Sequence, residues 1–537
     1  MADQITLANV ASSSSALAWG LESPYHGASR RREAMRAWNP TRGSADRNVV
    51  SSLEILDARS QDLVRNVPVA AAAVLTMTTN VVGCGIHPRP RIPADLLGIT
   101  QEQADTFESR ARQFFELWAN SKNADAERKS NFYQLQDLAL RTRLVAGNCF
   151  ALTPFRAVPS WPFGLAVKLL DGNRCQNPQG FLDTDRLAHG VEVDDMGAPV
   201  AYHFTVRPPH GILGECTLPE TIRVPAFGEV TGRPLVLHLF EQDRPDQRLG
   251  VPWLSTVVEV IKQQGRYQEA EVMAAVVSGM FTVFVKTASG SADWEGNAPA
   301  GDVQRAGVDP ARGEVGLKYG GVVDLAEDES LEFANPNRPN PNYGPFTDSI
   351  FREITAGLGI PVEQVLKRFD SSYTAARAAA LEGWKTYRRG RMDLCSDFSQ
   401  PIYETALAEF ISLGLLEAPG FFEDPLRRAL WSSALWVGEA PGQLNPVVET
   451  QALKMQVDEQ FKDRTTAALE LAGEDYPRVV RGLSLEKKTR EAFGVPEPGS
   501  VQKSASVSVQ GFGDQQVDPS APAPDGGVQD PGKDSNE

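Results

Sequence analysis

One stretch, Phe346 to Leu413, restricts the architecture of this chain more than any other. It reads as helix, short loop, long helix. Ile350, Ile354 and Leu358 recur every fourth residue and so share one helical face. Thr347 or Asp348 is placed to cap the N-terminus, and Gly359 with Pro361 ends the helix. The loop PVEQVLKRFDSS, Pro361–Ser372, follows and carries Lys367 and Arg368 near its tip. A second helix is expected from near Tyr373 to about Gln400, where Pro401 should bend or break it. Arg377, Trp384, Arg391 and Phe398 are spaced by seven and lie almost on one line of that helix. A buried charge needs a partner or a route to solvent. Two arginines among aromatics on one stripe are therefore unusual for a plain core helix.

The rest of the chain supplies cores for several domains. Its 537 residues suffice for three or four, and 42% of them are apolar. Residues 1–50 are polar and small and read as a flexible arm. For their run Arg30, Arg31 and Arg32 two readings stand, a solvated charge cluster or a contact with nucleic acid or an acidic neighbour. The segment starting MADQITLANV lacks a basic start before an apolar core, so no signal peptide is expected there. Residues 102–145 read as two amphipathic helices with apolar stripes Phe107, Phe114, Phe115, Trp118 and Phe132, Leu135, Leu138, Leu144. From Gly147 the period becomes two and strands follow, with a hairpin over Gly190–Thr205 and a strand at Leu235–Leu239. His203 and His238 fall in those strands without ligand partners and read as structural.

A long helix is expected from Pro252 to about Gly279, with Leu254, Val257, Val258, Ile261, Val272 and Val276 on its buried side. Glu259, Lys262, Arg266 and Glu269 form a mixed-sign stripe opposite. Such a stripe is usually solvated; in a ring of helices it would bridge neighbours or face a lumen. The apolar runs Val67–Met77 and Val272–Val285 are shorter than the roughly 18 residues of a membrane span and read as core. The five cysteines have no C-x-x-C spacing and read as buried reduced thiols. Short strands and loops occupy 280–344, Phe421–Trp436 carries two tryptophans, and two or three helices follow to about residue 495. Residues 500–537 are poor in apolar side chains and should be disordered.

Several runs together resemble one family. FREITAGLGIPVEQVL, SSYTAARAAALEGWKTYR and FSQPIYETALAEFISLGLL, with RAWNP, LDARSQDLVRNVPVAAAAVLTMTTNVVGCGI, LLDGNRCQNP and LHLFEQDRPDQRLGVPWL, resemble the portal proteins of lambda-like tailed bacteriophages. The resemblance covers roughly residues 30–495 in the right order. It departs mildly at Phe369-Asp370-Ser371 and at Asn445-Pro446 with Glu449. It implies an α+β portal fold assembling as a ring, typically a dodecamer, around a central DNA channel. The regions implied are a flexible arm (1–50), wing (51–250), stem helix (251–280), clip (281–344), second stem helix and tunnel loop (345–372), long helix and wing return (373–440), crown helices (441–499) and a disordered tail (500–537). Lys367, Arg368, Lys262 and Arg266 become DNA-channel candidates, and Arg377, Trp384 and Arg391 structural or assembly candidates. The implied partners are other copies of the chain, double-stranded DNA, the large terminase subunit, major capsid and scaffold proteins, and head-completion or adaptor proteins, with no membrane. The implied location is the capsid's portal vertex in the virion, with host cytoplasm during assembly.

The residues themselves exclude little and offer no catalytic set. There is no G-x-x-x-x-G-K-[ST] loop, no G-x-S-x-G, no H-E-x-x-H and no Cys/His metal set, so no catalytic, cofactor or metal residue is assigned and no enzyme is expected. Net charge is −16, which is unlike a tight phosphate binder and suits a conduit that must not hold its cargo. The alternatives are a structural capsid or connector protein without a DNA channel, or a nucleic-acid-processing enzyme.

Overall fold

The computed structural model describes residues 28–29, 32–207, 220–280, 284–287, 308–309, 314–315, 329–332, 340–369, 372–440, 442, 446–472 and 476–495. Arg30, Arg31, Cys216, most of 281–339 and the tail from 500 lie outside them. After a single turn, α1 (Glu33–Arg36), helix α2 (Ala45–Asn66) begins behind Ser44, whose Oγ accepts from the Arg47 N–H at 3.2 Å. The flexible arm expected to residue 50 is thus shorter, because Ala45 and Leu53 are already buried. Pro68 starts α3 (Pro68–Val81), whose small side chains Ala70 and Ala73 let neighbouring helices approach closely. The chain then turns through Gly83 and Gly85, with φ of 58° and 124°. At Gly85 a Cβ would lie 2.6 Å from the Tyr133 ring, so both conformation and space require glycine.

Strand β1 (His87–Pro90) pairs antiparallel with Ala434–Val437, and the turn α4 (Ala94–Leu97) follows. Helices α5 (Gln101–Asn120) and α6 (Phe132–Ala146) each start with a capping box, Thr100 with Gln103 and Asn131 with Gln134. The expected stripes bury Phe107, Phe115 and Trp118 on α5 and Phe132, Leu135 and Leu144 on α6. Leu138 is the exception at 44% exposed, because the buried arc of α6 centres on Gln136, Ala139 and Arg143. Gln136 is wholly buried and satisfied: it exchanges hydrogen bonds with the Ile86 backbone at 2.9 and 3.0 Å and reaches Ser399 Oγ at 3.1 Å.

The period-two region forms strands β2 (Asn148–Leu152), β3 (Lys168–Asp171), β4 (Leu187–Ala188), β5 (Val191–Val193), β6 (Pro199–Thr205), β7 (Thr221–Pro225) and β8 (Val236–Phe240). β2 lies between β3 and β8 in one antiparallel sheet, and β4-β5-β6-β7 make a second. The β5–β6 turn closes as an Asx turn, with Asp194 Oδ1 accepting from Met196 and Ala198 N–H groups at 2.9 and 2.8 Å. Phe150, Leu170, Tyr202, Phe204 and Val236 join the two sheets and Leu53 of α2 in a second core. His238 sits between the Phe150 and Phe240 rings at 4.2 and 4.4 Å with Nε2 3.1 Å from Asn148 Oδ1, and burial pushes its imidazole down to about 3. His203 faces Glu192 at 3.5 Å.

A 3₁₀ turn over Trp253–Thr256 precedes α7 (Val258–Met280), so the helix starts later than Pro252. Leu254, Val257 and Ile261 are buried as expected, whereas Val272, Met273 and Val276 are 61, 62 and 47% exposed and are not core. Beyond α7, strands β9 (Phe284–Thr287), β10 (Val308–Asp309), β11 (Glu314–Val315) and β12 (Glu329–Glu332) pair as β9 with β12 and β10 with β11. Helix α8 (Tyr343–Gly357) begins earlier than expected. Thr347 is an interior residue rather than a cap: its hydroxyl donates back to the Tyr343 and Gly344 carbonyls. The stretch expected to be loop contains α9 (Val362–Leu366).

Ser372 caps α10 (Tyr373–Leu394), which runs through a π turn at Cys395–Ser399 into α11 (Gln400–Ser412). Pro401 does not break this rod. It stands in the first turn of α11, where its missing N–H would have had to serve the turn before, and the π turn takes up the altered ladder. Helix α12 (Pro425–Trp431) and β13 (Ala434–Val437) complete this part, with Trp431 buried and Trp436 Nε1 donating to Gln400 Oε1 at 2.8 Å. Cys149, Cys175 and Cys395 are buried thiols, but Cys84 is exposed. The chain divides into two compact units, residues 1–447 and 448–537. In the C-terminal stretch the expected helices are α13 (Pro446–Asp458), α14 (Arg464–Ala472) and α15 (Tyr476–Phe493). No helix among the described residues is long and apolar enough to cross a membrane.

Candidate functional site

The cationic candidates are organised by an antiparallel helix pair, α7 and α8. A Cβ on Gly357 would lie 2.8 Å from Val257, and Tyr267 meets Tyr343 and Phe346 with ring centroids 5.9 and 4.9 Å apart. Nine residues along each helix from the Val257–Gly357 contact, roughly 13 Å at 1.5 Å per residue, stand Arg266 and Asp348. They therefore occupy the same height of the hairpin. Glu259, Lys262, Arg266 and Glu269 are all exposed, and Gln264 and Ile261 on the other side of α7 are buried. This stripe faces outward from its own chain.

After α8 the chain doubles back. Gly359 takes φ 68°, Pro361 opens α9, and Lys367 ends α9 in the left-handed region at φ 53°. A lysine held there costs on the order of 1 kcal/mol or more, so surrounding contacts must fix the turn. They come from α10. Thr386 Oγ1 donates to the Gly359 carbonyl at 3.0 Å, Tyr387 Oη donates to Gln364, and Gly383 lets Pro361 approach to within 2.8 Å of where a Cβ would stand. Tyr387 is 1% exposed. The base of the connection is thereby packed while Lys367 and Arg368 remain exposed. Arg368 Nη1 lies 3.7 Å from Asp348, with the two side chains 63 and 45% exposed. So open an ion pair is worth at most about 1 kcal/mol.

The stripe on α10 divides into parts with different surroundings. Phe398 is fully buried and stacks on Phe132 at 5.7 Å. Trp384 is half-buried, and the Arg391 guanidinium lies 5.2 Å from its ring centre. Arg391 donates to three carbonyls: Nε to Val81 at 2.9 Å, Nη2 to Asn80 and Nη1 to Glu439, both at 3.0 Å. It thus caps the end of α3 with a cation, as the helix dipole favours. Burial lowers the Arg391 pKa, against the pull of Cys395 and Glu439. The Glu439 carboxylate accepts from the Cys84 N–H at 3.1 Å, and hydrogen bonds from Cys84 hold its pKa low. Arg377 is half-buried.

Asp348, expected as a possible cap, stands inside α8 and pairs with Arg368 instead. Sequence reasoning missed that role and missed Gly383, Thr386 and Tyr387; a glycine inside an otherwise strong helix was the available signal for Gly383. It also missed the exposed cations Lys385, Arg388 and Arg389 on α10. A cavity of about 820 Å³ lies elsewhere, lined by Asp46, Asp183, Asp185, Asp194, Asp195 and Asp246 with Arg47 and Arg248. Its acidic excess repels phosphate, and no metal-holding group of His, Cys, Asp and Glu occurs among the described residues.

Residues 31–391 match the family model described as phage portal protein, lambda family. The portal protein of Escherichia phage N15 is 24% identical over 503 residues, covering 90% of this chain and 93% of that protein. Portal protein B of Escherichia phage lambda is 25% identical over 483 residues, covering 86 and 89% respectively. Among solved structures, a chain from the neck of a native gene transfer agent particle, computed with C12 symmetry, is similar with TM-score 0.41 and 13% identity, over 82% of this chain and 97% of that one.

Proposed function

We propose a function from one premise: the chain belongs to the lambda family of phage portal proteins. Copies of it form a closed ring, a dodecamer, at one vertex of the capsid, and double-stranded DNA passes through the centre during packaging and ejection. The role is structural and not catalytic. The observation that carries this reading is the family match across residues 31–391. Three physical features agree with it. The α7–α8 hairpin carries an exposed mixed-charge stripe, which in a ring lies between neighbours or toward the lumen. The net charge of −16 keeps phosphate contacts few and transient, so DNA slides instead of sticking. The exposed cations at Lys367 and Arg368 repeat once per subunit as a thin positive belt inside an acidic conduit.

On this reading residues 51–250 and 373–440 form the wing, 251–280 and 345–372 the stem with its tunnel loop, and 441–499 the crown. Residues 281–344 form the clip, which docks the large terminase subunit and later head-completion or adaptor proteins. Capsid and scaffold proteins surround the ring, which resides in the virion after assembly in the host cytoplasm. Native mass spectrometry with particle imaging of the purified protein tests the proposal. A closed oligomer with an open centre is expected; a stable monomer at micromolar concentration refutes it.

A further inference from the structure

An acidic residue stands on the inward stripe of α2. Leu53, Asp57, Ser60 and Val64 are spaced four, three and four apart and share one helical face. Leu53 and Ser60 are 4 and 0% exposed, and Val64 packs on the main core. A carboxylate on such a face is costly unless it is well bonded or keeps its proton. Asp57 Oδ1 accepts from Gln61 Nε2 at 2.9 Å. The charged group that acts on it from outside α2 is another carboxyl, Asp171, at the end of β3. Backbone hydrogen bonds from Asn173 and Gly172 favour the charged form of Asp171, yet its Oδ1 is buried and has no donor among the described residues. A protonated Asp57 is a donor and a charged Asp171 is an acceptor only.

The surrounding elements supply no cation in place of that proton. Helix α3 and the turn Trp253–Thr256, both packed on α2, contain no charged residue. On α6, Arg143 faces Glu241 at 3.8 Å, Arg141 is exposed and Asp137 is half-buried. On α7, Glu259 and Lys262 are exposed. Arg174, three residues beyond Asp171, donates to the Thr205 and Val206 carbonyls. Cys149, opposite Asp171 across β2 and β3, keeps its proton through burial. Glu54, exposed one turn earlier on α2, acts on His189.

We propose that Asp57 and Asp171 share one proton, the Asp57 O–H donating to Asp171 Oδ1, and that this bond is a pH-released catch between α2 and β3. When the proton leaves for solvent, two carboxylates face each other in a half-buried site and push α2 from its seat. Burial, with Asp171 adding to it against the Gln61 hydrogen bond, raises the Asp57 carboxyl from 3.8 to about 6. The catch is therefore closed below the unfolded value and opens as pH rises through about 6. It lies within one copy and does not depend on assembly.

Hydrogen exchange by mass spectrometry on the full chain tests it, with each amide rate divided by its intrinsic value. From about pH 5 to about pH 7.5 the opening of α2 should grow roughly ten-fold, with α5 as the unmoved reference. Asp57→Asn, whose amide donates to Asp171 at every pH, should hold α2 closed throughout. Asp171→Asn removes the facing charge and should move the midpoint of α2 opening roughly one pH unit lower. Wild-type α2 opening that does not change with pH overturns the catch. A midpoint that stays near 6 in Asp171→Asn overturns the shared proton and leaves Asp57 an acid raised by burial alone.

Discussion

Arg391 donates from Nε to the Val81 carbonyl at 2.9 Å, joining the long helix α10 to the end of α3 across 310 residues of sequence. The same guanidinium holds Asn80 and Glu439 carbonyls and lies against Trp384. A change to Ala leaves these acceptors without their donor. Arg391→Ala should therefore cost about 2–4 kcal/mol of stability, and Arg391→Lys somewhat less, since an ammonium cannot reproduce the planar fork. Urea unfolding followed by circular dichroism measures this. A loss within about 0.5 kcal/mol for the Ala variant would place the residue among neutral surface positions.

Asp57 makes a pH prediction. Burial raises its carboxyl from 3.8 to about 6, opposed by the Gln61 hydrogen bond and assisted by Asp171. Its pKa is higher folded than unfolded, so the native state binds this proton more tightly. The contribution to stability is full below the unfolded value and is lost as pH rises through about 6. Asp57→Asn removes the penalty at neutral pH. The variant should be more stable than wild type by about 1–2 kcal/mol at pH 7, after allowance for partial exposure, and the two should converge in acid. Urea midpoints at neutral and acidic pH decide it; a variant destabilised at neutral pH contradicts the argument.

Lys367→Glu with Arg368→Glu should leave assembly unchanged, because both side chains are exposed and the loop base is held by Thr386, Tyr387 and Gly383 instead. DNA packaging or retention should fall, with a salt dependence weaker than wild type. Packaging assays across a salt series read this out. Wild-type behaviour at every salt concentration removes the loop from the list of DNA contacts.

Deletion of residues 292–312 should preserve rings and impair docking of the packaging motor, measured as terminase binding to purified rings. Intact docking would move the partner surface elsewhere on the chain.

Much of the helical frame was legible because its signals are local. Ile354 and Leu358 are buried as their spacing requires, the stripes of α5 and α6 bury Phe115, Trp118, Phe132 and Leu135, and the helix α3 ends ahead of Gly83 and Gly85. The misses have another origin. Val272 and Val276 have core-like spacing yet are exposed, because periodicity identifies a face and not what covers it. Thr347 looked like a cap but is interior, since a threonine hydroxyl bonds a preceding carbonyl as readily as a free N–H. Pro401 looked like a break, but the π turn before it absorbs the lost hydrogen bond.

By itself the sequence determined the order of helices and strands, the acidic balance, the two loop cations and the family motifs, all of which depend on residue type and near-neighbour spacing. The tertiary structure alone decided which charges are spent within the chain and which remain outward. Arg391 and Arg368 are indistinguishable as letters, yet one is half-buried and committed to three carbonyls and a tryptophan ring while the other is exposed beside Asp348. The difference lies in desolvation and geometry, which are set by residues hundreds of positions away that no local pattern can name.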